Sequence, residues 1–561
     1  MVSRKGTERK GVVRVARTRA FRRALTLWDL VMVNLAAIIG SGWLLAAMAA
    51  AGLAGPSAIL AWLIGIAASL VIAPFFMELG TLFPETGSMA RYAQYTQSPF
   101  VSHLVGWATF ISWAAFSPLE TVAMIQYGSS WVPGLYANGS LTPPGFVVGA
   151  LLMIGFMTLN LMGMKLFARI NNYTMAWKMV IPALTVVVLL VAAHHVGNLT
   201  HGGILPYGVS GMLGAVSSGG IILSLTGFRH SIDLAGEAKN PQRDVPRSIW
   251  ISLLLAGALY LCLEVAFVLA VPPSALHHGW AGLSFNAPYV DLALVAGLGW
   301  LALLLRIDAV ISPADTALVN LTSASRTAHA MGRNGSFPTV FTRLTDAGQP
   351  ITGLVVTWLV GFLFLLPFPS WRALAGVVSD VIVLTYIMGP ISVGVMRRVA
   401  PKPARNVSRV PWLSIWGPAG FIIGSLLIYW SGWPTIGKVM LVELAGVIVY
   451  AYYWTHHRED AATDHVVAKS AWFVVYLAVI TGLDYLGSFN AAAGAPKVLP
   501  APWDSLVVAV VALAFYRWGV ASGYETQDLR RVRTALPAMR RGQATQGESQ
   551  FDVPSGEAAD D

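Results

Sequence analysis

Long apolar stretches follow one another along almost the entire chain, and no polar stretch between them is long enough to build a separate water-facing domain. A helix needs about 20 largely apolar residues to cross a bilayer. Only 11% of the residues are charged and 56% are hydrophobic, whereas a soluble domain carries about 25% charged residues. Too few polar groups remain to coat a water-facing surface. The 54 Gly and 31 Pro are easier to place in membrane helices than in soluble ones. The reading is an all-α integral membrane protein. Its spans fall near 27–50, 56–83, 104–131, 145–163, 174–193, 211–235, 248–270, 289–325, 352–367, 373–396, 413–430, 436–454, 471–487 and 504–520. These are about fourteen spans.

The basic residues orient this map. With the amino terminus inside, 31 of the 37 Lys and Arg fall in inner segments. Outer loops hold only Arg372, Lys438 and Lys497, and Lys178, Arg229 and Arg306 lie within spans. Positive charge gathers on the cytoplasmic side of membrane proteins, so both termini are expected inside, in a cell membrane. The net charge of +10 is accounted for by topology and by attraction to anionic membrane lipids, and calls for no nucleic acid. Four regions follow: a basic cytoplasmic arm (1–24), a first block of ten spans (25–400), additional spans (401–522) and a polar tail (523–561) that reads as disordered. The arm is too basic and polar to supply a signal peptide's apolar region. The single cysteine, Cys262, excludes an internal disulfide framework and a multi-cysteine metal site. Its position in the middle of a span suggests packing. No cofactor or metal is called for.

Two spans are interrupted. The first carries Ile38-Ile39-Gly40-Ser41-Gly42-Trp43 halfway along. If the helix unwinds there, the amides of Ser41, Gly42 and Trp43 head the outer half-helix, where free N–H groups and partial positive charge suit a carboxylate. The carbonyls ending the inner half, near Ile38, suit an ammonium group. The same string also serves close helix packing through small residues. The sixth span carries Ser217-Ser218-Gly219-Gly220 and then Ser224-Leu225-Thr226-Gly227-Phe228-Arg229. Two weakened helices five spans apart are what an inverted repeat of five plus five produces, with the site at the repeat interface.

These strings, with MELGTLFPETG (77–87), SLTGFRHSIDLAGEAKNPQRDVPRSI (224–249) and SASRTAHAMGRNGSFP (323–338), make the chain resemble the amino acid–polyamine–organocation permeases over its first ten spans. GLGWLALLLRIDAVISP (297–313), LPFPSW (366–371) and YWSGW (429–433) bring the resemblance closest to the aspartate–proton symporter group, through all fourteen spans. The resemblance implies an inverted-repeat (5+5) fold of the leucine-transporter type with about four extra C-terminal helices. It further implies that Ser41 and Gly42 bind a substrate α-carboxylate. The amino group would meet carbonyls near Ile38, Leu223 and Thr226. Ile39, Gly40, Trp43, Ser224 and Gly227 belong to the same strings.

Lys178 lies inside the fifth span, where a charge is costly unless paired and often marks a proton relay. The resemblance places it where a sodium ion sits in other members, and so implies proton coupling; a purely structural bond to carbonyls of the first helix is the alternative. Arg229 can pair with a side-chain carboxylate in bidentate fashion, which favours aspartate or glutamate as substrate. Alternatively it pairs with Glu120, Asp308 or Asp315. Glu120 in span three and Asp308 in span eight are candidate proton carriers, ahead of Asp315 and Asp380, and Ser117 sits one turn before Glu120 as a further substrate contact. Glu78 and Glu237, at inner ends of spans, suit cytoplasmic gating contacts. His230 is a neighbour of Arg229 that is either pH-sensitive or structural.

The function read from these residues is proton-coupled uptake of acidic amino acids by alternating access. An amino-acid exchanger or permease for neutral or other amino acids, a transport-dead sensor and a membrane enzyme are the alternatives. No clustered catalytic set and no phosphate-binding loop is present in the sequence. The map makes a direct prediction. In a Cys262→Ser background, Lys497→Cys is labelled from outside intact cells by an impermeant maleimide, and Arg333→Cys is labelled only after permeabilisation.

Overall fold

A computed structural model describes residues 24–84, 89–162, 164–345, 349–399, 408–456, 463–491, 496–524, 526 and 529. Nearly all of the expected arm, most of the polar tail, and the inner-loop residues Lys402, Arg405 and Arg458 lie outside the described residues. So does the Glu85–Gly87 end of the 77–87 string.

The helices run in chain order as α1 (Leu27–Ile38), α2 (Ser41–Ala54), α3 (Ala58–Leu82), α4 (Met89–Thr96), α5 (Pro99–Ala114), α6 (Phe116–Gly128), α7 (Pro143–Leu161) and α8 (Met164–Ala192). After these come α9 (Gly208–Ser218), α10 (Ile221–Leu225), α11 (His230–Asp233), α12 (Pro241–Ala270), α13 (Pro288–Val295) and α14 (Gly299–Arg333). The chain finishes with α15 (Ile351–Leu365), α16 (Trp371–Tyr386), α17 (Met388–Val399), α18 (Leu413–Tyr429), α19 (Thr435–His456), α20 (Thr463–Leu486) and α21 (Trp503–Ser522). Each expected span overlaps helix, but several, 27–50, 211–235 and 289–325 among them, are each broken into more than one helix.

Among the described residues, nine helical stretches are long and apolar enough to cross a membrane, or ten if α9 and the bent segment after it count as one. α1, α15 and α18 are apolar but shorter. α14 is long enough, yet carries Arg306, Asp308 and Asp315 within ten positions. Its charged residues lower the hydropathy that marks a span.

Local chemistry sets the boundaries. Thr26 and Asp29 form a reciprocal capping box at the start of α1. Ser98 and Thr142 cap α5 and α7 through their hydroxyls, each with Pro at the first helical position. Between α2 and α3, Gly55 takes φ +62°, which a residue without Cβ adopts freely.

The expectation of an all-helical chain needs one correction. Tyr136–Ala137 (β1) and Ser140–Leu141 (β2) pair antiparallel as a minimal hairpin. Its turn residues Asn138 and Gly139 both have positive φ, the geometry that an Asn-Gly pair favours in a two-residue hairpin. Cys262 is exposed on α12 rather than packed. A lone thiol behaves as a small hydrophobe, and so suits an exposed position on an apolar span as well as a core.

α1 and α2, expected from the sequence as one span, are separated at Ile39–Gly40. α9 and α10 are separated at Gly219–Gly220, with Gly220 at φ +85° and the axes bent by 42°. Beyond α10 the backbone tightens into a 3-10 turn over Thr226–Arg229 before α11. The two interrupted elements touch at Gly227. A Cβ there would lie 2.5 Å from the Ile38 nitrogen and 2.7 Å from the Ala37 carbonyl carbon. Backbone cannot move aside as a flexible side chain can, so overpacking is expected to cost about 1–3 kcal/mol. Gly227→Ala therefore lowers the thermal midpoint of the detergent-purified protein. Gly155→Ala, with open space around the added carbon, leaves it unchanged or raises it.

Candidate substrate site

The break between α1 and α2 leaves backbone groups with no partner in their own helix, and side chains from four other helices meet them. The Ile38 carbonyl accepts from the Tyr260 hydroxyl of α12 at 2.8 Å. The Ala36 carbonyl accepts from Lys178 Nζ of α8 at 2.7 Å and from the Thr316 hydroxyl of α14 at 2.8 Å. Thr316 also reaches the Ile39 carbonyl at 3.2 Å. On the far side of the break, the Ser41 N–H donates to Glu120 Oε2 of α6 at 2.7 Å. The glycines make room for this. A Cβ on Gly40 would lie 2.7 Å from Glu120 Oε1 and 2.8 Å from the Thr316 side chain, and one on Gly42 would run into the Ser224 hydroxyl.

A small cavity lies against the break. Ala37, Ile38, Ser41 and Gly42 line it from the first span, Phe116, Leu119 and Glu120 from α6, and Leu223 and Ser224 from α10. Sequence reasoning named Ile38, Ser41, Gly42, Glu120, Leu223 and Ser224 among these. It missed Ala37, Phe116 and Leu119, whose apolar side chains carry no signal that separates a cavity wall from ordinary core. The Ser41 hydroxyl, facing this region, accepts from the Trp371 indole of α16 at 2.8 Å.

Other named residues fall elsewhere. Trp43 points to α14, where its indole donates to Asp308 Oδ2 at 3.1 Å, and its ring packs on Tyr289. Asp308 also accepts from Ser312 at 2.8 Å. The Thr226 hydroxyl turns back onto the Leu223 carbonyl at 2.8 Å. The Leu223 carbonyl also accepts from the Thr226 N–H, and the Ile38 carbonyl from the Gly40 N–H at 3.1 Å, so each already holds two donors and a substrate amine would have to displace one. Ser117 is buried in α6 but does not line the cavity. It lies three positions before Glu120, while the cavity-facing residues of that turn are Phe116 and Leu119.

Lys178 is fully buried, and its ammonium is held by the Ala36 carbonyl, by Asp315 Oδ2 at 2.9 Å and by the Thr316 hydroxyl at 3.0 Å. Its acid is Asp315, not Glu120 or Asp308. Arg229, also fully buried, pairs with none of the three acids considered for it. Its Nη1 donates to Thr385 at 2.6 Å. The guanidinium lies 4.3 Å from the Trp113 ring and 5.1 Å from the Tyr386 ring, a cation–π setting. Among the described residues, Nε and Nη2 have no hydrogen-bond partner. Arg229 is not in the cavity wall; Trp113 beside it packs against Phe116, which is. His230 packs on the same Trp113 at 4.5 Å, with Nδ1 at 2.8 Å from the Ser323 hydroxyl.

Arg306 is placed away from this centre. It lies 5.7 Å from the Trp131 ring and interacts with the charge of Asp291 on α13. Glu78, near the end of α3, accepts from Arg397 and from the Val410 N–H, and Glu237, just before α12, pairs with Arg326 at 2.9 Å. Among the described residues, no group of three His, Cys, Asp or Glu is arranged to hold a metal ion.

Two interrupted helices that meet beside a buried cavity with opposed polar groups define a multi-pass membrane permease. A family profile described as amino acid permease matches residues 25–454. The chain is 36% identical over 531 residues to the glutamate/serine transporter AimA of Bacillus subtilis, covering 93% of this chain and 98% of that protein. It is 32% identical over 509 residues to the aspartate-proton symporter of the same organism, covering 90% and 97%. A branched-chain amino acid permease of that organism, BcaP, is 25% identical over 457 residues, covering 79% and 95%. The chain belongs to the amino acid permease family, whose members are transporters and not enzymes.

The buried pair yields a prediction. Removing one member of a buried ion pair strands the other charge and costs about 3–5 kcal/mol. Lys178→Met alone should lower the thermal midpoint strongly, and Lys178→Met combined with Asp315→Asn should recover most of the loss.

Proposed function

We propose that the chain is a secondary active transporter that takes up acidic amino acids, aspartate or glutamate, together with protons by alternating access in the cell membrane. The observation that carries the substrate class is Arg229. A permanently charged guanidinium is buried with Nε and Nη2 unpaired among the described residues, one aromatic layer behind the cavity. Two donors in a planar fork match a carboxylate. A small shift of the Trp113–Phe116 pair would open the way from the cavity to the fork. The names of the two relatives, one a glutamate/serine transporter and one an aspartate-proton symporter, support the same class.

In this reading Glu120 is the hinge of coupling. Its carboxylate occupies the Ser41 N–H, the position a substrate α-carboxylate would take at the head of a half-helix. An arriving substrate displaces Glu120, and a displaced carboxylate in a buried site is favoured by taking a proton. Ser41 and Gly42 then hold the α-carboxylate, and the Ile38 and Leu223 carbonyls hold the amine. Ser224, Thr226, Gly227, Ile39, Gly40 and Trp43 shape the surrounding backbone. Lys178 and Asp315 hold the inner half of the first span, and Asp308 lies further out along α14 as a second proton carrier. The chain would form two five-span inverted repeats over 25–400, followed by four further spans, with both termini cytoplasmic.

An exchanger or permease for neutral amino acids is the second reading, favoured by the absence of Arg229 from the cavity wall. Uptake of labelled glutamate into proteoliposomes, with a pH gradient and competing aspartate, leucine or arginine, separates the two. Aspartate is expected to compete and the gradient to drive accumulation; competition by leucine alone rejects the acidic class. A hydrogen bond to a charged group is worth about 1.5–3 kcal/mol. Arg229→Met should therefore raise the KM for glutamate roughly tenfold to a hundredfold, with uptake of neutral amino acids changed far less.

A further inference from the structure

A second set of buried acids lies on α16 and on the helices that follow it, far along the chain from the first break. Asp380 of α16 and Asp484 of α20 are both buried, at 1% and 0% exposure. Asp380 Oδ2 accepts from the Ser431 hydroxyl at 2.6 Å. Its other oxygen, and both oxygens of Asp484, have no hydrogen-bond donor among the described residues. Asp484 interacts with the charge of Asp380. The surrounding groups do not compensate. Tyr429 of α18 donates to Asp504 of α21 at 2.8 Å, and Ser488 donates to the same carboxylate at 2.5 Å, so Asp504 is satisfied and adds a third acid. Lys438, on α19, sits 5.5 Å from the Phe368 ring. Among the described residues no basic side chain pairs with Asp380 or Asp484, whether from α5, α6, α9, α17, α18, α19 or α21.

We propose that Asp380 and Asp484 are proton-binding sites through which the C-terminal helices act on the outer half of the broken sixth span. Two buried carboxylates with no paired cation and three idle acceptor atoms are costly when ionised, and protonation removes that cost and supplies a donor. Among the described residues, no histidine, lysine or arginine is placed to do this instead.

The connection to the transport core is continuous. Ser431, which holds Asp380 through its hydroxyl, accepts from the Ser218 hydroxyl through its carbonyl at 3.0 Å. The neighbouring Ser217 hydroxyl donates to the Leu427 carbonyl at 2.6 Å. Ser217 and Ser218 are the last residues of α9, immediately before the Gly219–Gly220 bend. Trp371, on the same helix as Asp380, lies 2.9 Å from where a Cβ of Gly220 would be, and its indole donates to Ser41. An ionised Asp380 only accepts, whereas a protonated one also donates. Proton occupancy therefore changes the hold on Ser431, and with it the anchoring of α9 beside one break and of α16 beside both. A ligand shifts a conformational equilibrium only through such a difference between states. The two sites give the last helices a role in coupling that the ten-span core would lack.

The test uses the full chain and the variants Asp380→Asn, Asp484→Asn and the double substitution. Asparagine keeps the size of the acid and imitates its protonated form. Proton uptake by detergent-purified protein after an acid pulse, read with a pH dye, needs no substrate and so stands apart from the acidic-substrate reading. The expected result is a loss of proton uptake in each variant, a flattened or shifted pH profile of glutamate uptake in proteoliposomes, and retained exchange at equal pH on both sides. Wild-type proton uptake and an unchanged pH profile in the folded variants overturn the proposal. Failure of the asparagine variants to fold at any pH also overturns it, because the protonated form would then not be tolerated. A requirement for sodium in place of the pH dependence overturns it as well.

Discussion

Everything at the centre of this protein depends on satisfying the backbone where the first span is interrupted. Inside a membrane an unpaired N–H or carbonyl finds no water, and each one left alone costs several kcal/mol. Here the carbonyls of Ala36, Ile38 and Ile39 and the N–H of Ser41 are met by Lys178, Thr316, Tyr260 and Glu120. These four side chains come from α8, α14, α12 and α6. The break is thus a joint that draws four helices to one point. It persists because those helices are packed around it, and they are oriented in turn by the groups they supply to it.

The same economy governs the buried charges. Lys178 is accommodated by Asp315 together with neutral acceptors. Arg229 is accommodated by aromatic faces, one hydroxyl and the nearby charge of Asp233, and its fork is left partly unspent. Glu120 sits on a half-helix N-terminus, where a carboxylate is welcome. Each charge has a different compensation, and the difference suggests a different role. A fully paired lysine is an anchor that a change of conformation must break. A cation whose donors are only partly used can still accept an anion.

Legibility in the sequence was uneven. The helices were readable because a bilayer demands long apolar stretches, and all fourteen expected stretches overlap helix. The interruptions at Gly40–Gly42 and Gly219–Gly220 were readable because glycine lets backbones bend and approach. The minimal hairpin at Tyr136–Leu141 was passed over, although Asn138-Gly139 is a known turn signal, because so short a strand pair carries no hydrophobic period. Phe116 and Leu119 were passed over because an apolar wall looks like core. Arg306 counted as an intramembrane charge because the run around it is apolar, whereas the fold sets it beside Trp131 and Asp291.

What the sequence determined by itself was the class of environment, the positions of the helices and the two places where helix gives way, since each follows from residue type and local spacing. Tertiary structure decided the partners. Nothing local in the chain assigns Lys178 to Asp315 rather than Asp308, separates Arg229 from every acid considered for it, or puts Glu120 on the Ser41 amide. Those pairings join residues from 79 to 156 positions apart. They depend on which helix faces which, and that is settled only when all the apolar faces and all the buried polar groups are satisfied together.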